Sequence, residues 1–335
     1  MKIVIVTPAP TGSRKGNRVS ALRWARLLRE LRLRVAIKQE YRDESCDLLI
    51  ALHARRSSES IQRFRLIHPE RPLILMLTGT DLYGDIRTDE SAQKSLELAS
   101  RLVVLQPLGM DELPKHLRGK TRVVYQSTVA PPNHSAPRTD AFEVCVLGHL
   151  RPVKDPFRAA LASRLLPESS RLRVLHLGAA LSPEMGRQAR REMAANARYR
   201  WLGDLPRWRA LRILSRCRLL VQSSLLEGGA NTISEAIVAG VPVVSSRISG
   251  SVGLLGEDYP GYYPVGDTRA LSAVLYRAET DARFYHSLRS RCRKLASRFA
   301  PARERAALAR LLRELGMPVQ PVSRGGASRK VRDSR

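Results

Sequence analysis

The chain is poor in cysteine, aromatic residues, acid and long apolar runs, and each shortage excludes something. Its four cysteines, Cys46, Cys145, Cys217 and Cys292, are scattered and form no C-x-x-C pair. That excludes a dense disulfide framework and a structural zinc site, and fits a reduced, cytoplasmic protein in which the thiols fill core space. Aromatic residues make up only 5% of the chain, and no basic block is interleaved with them. No apolar run approaches the roughly 20 residues of a membrane span. The apolar start, residues 1–6, is stopped by Thr7, Pro8, Ala9 and Pro10. It predicts a first strand rather than a leader peptide, whose apolar core needs about 7–15 residues. Acid is outnumbered, 31 Asp and Glu against 58 Lys and Arg, for a formal charge of +27. Such a surface attracts polyanions. The arginines are spread along amphipathic stretches such as LRWARLLRELRLR (22–34), however, so the charge points to small phosphorylated substrates rather than to nucleic acid. No D-x-D pair is present to hold a divalent metal on a diphosphate, and there is no G-x-S-x-G, H-E-x-x-H or kinase signature. No metal and no cofactor are expected.

What is present is an alternation. A chain of 335 residues suggests two domains, at roughly 100–200 residues each. Strands are predicted at 2–6, 34–38, 47–52, 73–77, 101–105 and 122–126, with helices at 19–31, 57–68 and 88–99 between them. The strands are apolar almost throughout, as when helices cover both faces of a parallel sheet. Residues 128–141, TVAPPNHSAPRTDA, have little to bury and read as a linker. The alternation restarts with strands at 142–148, 172–178, 199–203, 218–224 and 241–246. Helices are expected at 156–165, 183–196, 206–216, 232–239, 268–278 and 281–298. The expected layout is one parallel α/β domain over 1–127, the linker, a second over 142–300, a helix at 301–315 crossing back to the first, and a basic disordered tail at 316–335. Ligands of open α/β sheets bind beyond the carboxyl ends of the strands, so the strand-to-helix loops are where chemistry belongs.

Three loops stand out. In LLEGGANTISEAIVAGVPVV (225–244), Glu227 precedes Gly228 and Gly229, and a helix starts near Asn231 or Thr232. The glycines let a backbone come close, and unpaired N–H groups at a helix start suit a phosphate. Glu235 can cap that helix, because Thr232-x-x-Glu235 matches a capping box, or can accept hydrogen bonds from sugar hydroxyls. Glu227 has the same choice between an exposed loop acid and a hydroxyl ligand. In LGHLRPVKDP (147–156), Arg151 and Lys154 can neutralise a diphosphate, with His149 beside them. In PAPTGSRKGNRVSALRWA (8–25), Gly12 and Gly16 sit with Arg14, Lys15 and Arg18 in a basic, anion-friendly loop. His53 and Asp81 lie just past strand ends. Each has a plain alternative, a structural histidine and a turn-capping acid.

The E-x7-E spacing after a strand, closed by EAIVAGVPVV, resembles the GT-B glycosyltransferases, especially glycosyltransferase family 4, over nearly the whole chain up to about Leu315. That resemblance implies two Rossmann-like domains facing a cleft. Glu235 would hold the nucleotide ribose and Glu227 the donor sugar, with the backbone at Gly229, Ala230 and Asn231 on the sugar or its phosphate. Arg151 and Lys154 would lie on the diphosphate. The usual G-R-x4-K is altered here: Gly148 and Lys154 match, His149 takes the Arg place, and an Arg stands at 151. Six stretches together, GNRVSALRWA, ALHARRS, LTGTDLY, HLRPVKDPFR, EGGANTISEA and DYPGYYPVGD, are similar to the selenosugar synthases of selenoneine biosynthesis. This narrower resemblance implies transfer from a UDP-sugar, UDP-N-acetylglucosamine, to selenophosphate. His53, Asp81, Gly16, Asn17 and Arg18 would lie on the acceptor side, and Arg151 and Lys154 would assist departure of UDP. Sugar transfer to an alcohol or lipid by the same fold, and a non-catalytic nucleic-acid-binding module, are the alternatives.

Overall fold

The computed structural model describes residues 1–13, 16–131 and 136–319. It has two parallel six-stranded sheets flanked by helices, as expected. The first is built from β1 (Lys2–Val6), β2 (Arg34–Lys38), β3 (Leu48–Leu52), β4 (Leu73–Met76), β5 (Arg101–Val104) and β6 (Thr121–Val123), in the order β2-β1-β3-β4-β5-β6. The second contains β7 (Phe142–Leu147), β8 (Leu172–Leu177), β9 (Tyr199–Trp201), β10 (Leu219–Gln222), β11 (Val243–Ser246) and β12 (Tyr262–Tyr263), in the order β12-β11-β10-β7-β8-β9. The continuous apolar character of β1 has a direct cause. Ile3 and Ile5 enter the core on one face with Leu48 and Ile50, while Val4 and Val6 enter the core on the other with Leu49 and Ala51. Both faces are covered, so both sets of alternating side chains must be apolar.

The strand order places the site. From β7 the chain steps outward to β8 and β9, then returns to pair β10 with the other side of β7. The direction of winding reverses between β7 and β10, and a crevice opens beyond their carboxyl ends. The helix Pro301–Arg313 lies against the helix Gly16–Glu30, and its Leu308, Leu311 and Leu312 join the first sheet's core.

Some expectations are corrected. The sixth strand ends at Val123 rather than continuing to 126, because Tyr125 turns away to pack edge-on against Phe299, with ring centroids 6.1 Å apart. A helix, Ser249–Leu255, and the short β12 were not foreseen. SGSVGLL has two glycines and weak helix propensity, and only burial of Val252, Leu254 and Leu255 makes it helical. The tail begins in contact with the core: Met317 and Val319 are buried in the first core, after Gly316 ends the helix at φ 72°. The remainder of the expected disordered stretch, 320–335, lies outside the described residues, as do 132–135 of the linker and Arg14 and Lys15 of the basic loop.

Candidate functional site

The loops after β7 and β10 are stitched to each other. Arg151 is extended, a single turn Pro152–Lys154 follows, and Asp155 closes it in the left-handed region at φ 42°. Ser223 Oγ donates to the Asp155 carbonyl at 2.9 Å, and the Leu225 N–H donates to the Val153 carbonyl at 2.9 Å. This stitching brings the Lys154 ammonium onto Glu227 Oε1, which also accepts from Ser224 Oγ at 2.7 Å and Gln222 Nε2 at 2.9 Å. The Glu227 side chain is only 12% exposed, so it is not an ordinary loop acid. Burial works to raise its pKa, but the Lys154 charge and hydrogen bond, Ser224 and Arg151 outweigh burial and hold the carboxyl below its usual value.

Glu235 is treated in the opposite way. It lies one turn into the helix Asn231–Val238 and is 5% exposed. The capping box does not form. Ala230 is the N-cap and makes no side-chain cap bond, Thr232 Oγ1 donates to Gln222 Oε1 at 2.8 Å, and the Glu235 carboxylate takes Arg207 instead. Burial raises the pKa of Glu235, against the pull of Arg207 and Arg23. The two glycines meet the protein's own other half. A Cβ on Gly228 would stand 2.7 Å from the Thr78 carbonyl carbon, and one on Gly229 2.5 Å from Leu105 Cβ.

Across the crevice, His53 follows β3 with φ 78°, a strained value for a residue with a Cβ. It is 2% exposed, with Nε2 3.1 Å from Thr80 Oγ1 and 3.8 Å from Asp85 Oδ2. Burial, opposed by Asp81, depresses its pKa, so the ring stays neutral at pH 7. Asp81 is fully buried. Its Oδ1 accepts from the N–H groups of Thr78 and Gly79 at 2.9 and 2.8 Å, and its Oδ2 from the Ala54 N–H at 3.0 Å. Both Asp81 oxygens thus bond backbone N–H groups, and the residue holds the loops after β3 and β4 together as a turn-capping acid. Gly16 opens its helix, with Asn17 and Arg18 in the first turn, and Arg18 Nε is buried without a partner. His149 accepts from the Ala179 N–H at 3.0 Å, which fixes the loop after β7 to the loop after β8.

The structure thus brings Arg151, Lys154, Glu227 and the helix start at Asn231 to one crevice, with Glu235 a turn deeper. It adds residues the sequence did not single out: Gln222, Ser224, Arg207, and Arg23, whose Nη1 donates to Asn231 Oδ1 at 3.1 Å from the other half. Gln222, Ser223 and Ser224 carried a legible signal, since polar residues ending a buried strand need partners. Arg23 and Arg207 carried none in so basic a chain. Among the described residues, no group of three or more His, Cys, Asp or Glu is placed to hold a metal ion, and no helix is long and apolar enough to cross a membrane.

A buried anion beside a lysine held on it, a nearby arginine and a helix N-terminus can grip hydroxyls with one group while stabilising a leaving phosphate with the others. Known proteins share this framework. HepE of Anabaena, solved with UDP and glucose, superposes with a TM-score of 0.76 at 17% identity, covering 94% of this chain and 100% of that one. Sucrose-phosphate synthase of Thermosynechococcus elongatus gives 0.73 at 16%, covering 94% and 99%. The pneumococcal O-GlcNAc transferase GtfA, solved with UDP and GlcNAc, gives 0.64 at 16%, covering 80% and 56%. At such identities the likeness is one of fold. The sequence match is more specific: residues 130–297, just over half the chain, fit the model of the glycosyl transferases group 1 family. That span holds every strand of the second sheet, the Lys154–Glu227 pair and the helix start, and by it the chain belongs to the glycosyl transferases group 1 family.

Proposed function

We propose that this glycosyltransferase takes a sugar from a UDP-sugar, UDP-N-acetylglucosamine, and joins it to selenophosphate. The observation that carries the donor half is the convergence of Lys154, Arg151 and the Asn231 helix start around Glu227. UDP in the complexes of HepE and GtfA supports the choice of nucleotide. Glu227 then takes sugar hydroxyls, Glu235 exchanges Arg207 for the ribose hydroxyls, and the cations stabilise departing UDP. The C1–O bond to the diphosphate breaks and a C1–Se bond forms; loss of the phosphoryl group from selenium is a separate step. Selenophosphate is already an anionic nucleophile and needs positioning more than a base. Its choice rests on the resemblance of six sequence stretches to the selenosugar synthases, with Gly16, Asn17, Arg18 and His53 taken to bound the acceptor side. A second reading, transfer to an alcohol, has one observation in its favour: burial keeps His53 neutral, as a general base must be.

UDP release measured across several UDP-sugars, with and without selenophosphate, tests both. Release that depends on selenophosphate is expected, with Lys154→Ala lowering turnover by about tenfold or more. Equal release without selenophosphate, or release driven by an alcohol instead, rejects the selenosugar assignment.

A further inference from the structure

One charged side chain from the first half reaches the start of the Asn231–Val238 helix. Arg23 lies two turns into Gly16–Glu30, and its side chain is only 8% exposed. Nη1 donates to Asn231 Oδ1 at 3.1 Å, and Nε to Glu304 Oε1 at 3.4 Å. Nη2 is buried with no partner. A guanidinium is a flat fork of five donors matched to anion oxygens, and a buried donor left empty is costly.

Glu304 does not supply the missing acceptor. It is 2% exposed and shared with two other donors, Trp24 Nε1 at 2.8 Å and the Ser127 N–H at 2.7 Å. It therefore fixes Arg23 in place and leaves one edge of the fork free. The same corner contains two more buried polar atoms without partners, Gln126 Oε1 and Ser127 Oγ. Gln126 also lines a small pocket with Gly229, Ala230 and Ser234, at the base of the helix start. A helix N-terminus, a fixed buried cation with an empty donor and a small pocket between the halves together describe an anion site that needs both halves.

We propose that Arg23 is a further binding residue of the nucleotide-sugar site, its free Nη2 donating to an oxygen of the donor's diphosphate at the start of the Asn231–Val238 helix. The inference rests on the UDP-sugar reading above. It makes the terminal helix part of the site at one remove, because Glu304 positions the guanidinium.

The test is calorimetric titration of the full-length wild type, Arg23→Gln and Arg23→Ala with UDP and with uridine, alongside melting temperatures. UDP affinity should fall by about tenfold or more in both variants, the value of one charge-assisted hydrogen bond, while uridine affinity stays within about twofold. Arg23→Gln keeps a donor toward Asn231 and decides the matter should Arg23→Ala not fold. The proposal is overturned if folded Arg23→Gln binds UDP as wild type does, or if UDP and uridine weaken alike, which marks a structural role only. A wild type that binds no UDP overturns the donor reading itself.

Discussion

Glu227 and Glu235 show how far surroundings separate two identical side chains. Lys154 keeps the first anionic; burial favours the neutral form of the second, though Arg207 faces it. Arg207 is itself 45% exposed, so removing its partner returns it to water at little cost. Glu235→Ala should therefore lower UDP affinity by about tenfold or more and leave the melting temperature nearly unchanged. A variant that only melts earlier, with UDP affinity intact, shows a structural carboxylate. His176 gives a prediction of pH dependence. It is 1% exposed on β8, its Nε2 is 3.1 Å from the Gly148 carbonyl and its Nδ1 3.0 Å from the Tyr199 hydroxyl. A neutral ring satisfies both, donating to the carbonyl and accepting from the hydroxyl. Burial pulls its pKa down to about 4. The unfolded chain takes up a proton near pH 6.5 and the folded chain does not, so stability falls as pH drops from about 6.5 to about 4, by about 3 kcal/mol, and levels off below. Urea unfolding from pH 7 to 4 should show this slope in the wild type and a flatter one in His176→Gln. Equal slopes place the acid sensitivity elsewhere.

At the scale of elements, the loops of one half are shaped to fit the other. Asp81 gathers the N–H groups of Thr78 and Gly79, and that turn rests on Gly228. Leu105 rests on Gly229, while Ser249 Oγ and Gln106 Nε2 both donate to the Tyr83 hydroxyl at 3.0 Å. Gly228→Ala pushes against backbone, not a flexible side-chain tip, and should cost about 1–3 kcal/mol or force the halves apart. A larger radius of gyration in small-angle scattering and slower UDP release are the expected readouts; an unchanged radius with wild-type turnover shows that the contact yields locally. Most elements were legible, because apolar runs bounded by Gly, Pro and polar residues mark buried strands. Ser249–Leu255 was not, since its helical state comes from burial rather than from its residues. Nor was the π-helical turn Asp81–Asp85, which depends on where Asp81 finds its partners.

For the whole molecule, the surplus of basic residues points to anionic ligands but not to which cations matter, since 58 Lys and Arg look alike in a string. The E-x7-E spacing marked both glutamates and the helix between them, because that spacing follows from a strand, a tight loop and one helical turn. It did not reveal that one glutamate is held by Lys154, 73 residues away, or the other by Arg207. The linear chain by itself determined two parallel sheets and most of their elements, since these follow from periodicity and turn chemistry within short windows. Only the tertiary structure decided that Glu235 is no helix cap, that Asp81 faces inward, and that Arg23 crosses between halves. Each depends on which distant groups share a buried space, and the desolvation that fixes those pairings exists only once the two sheets have closed on each other.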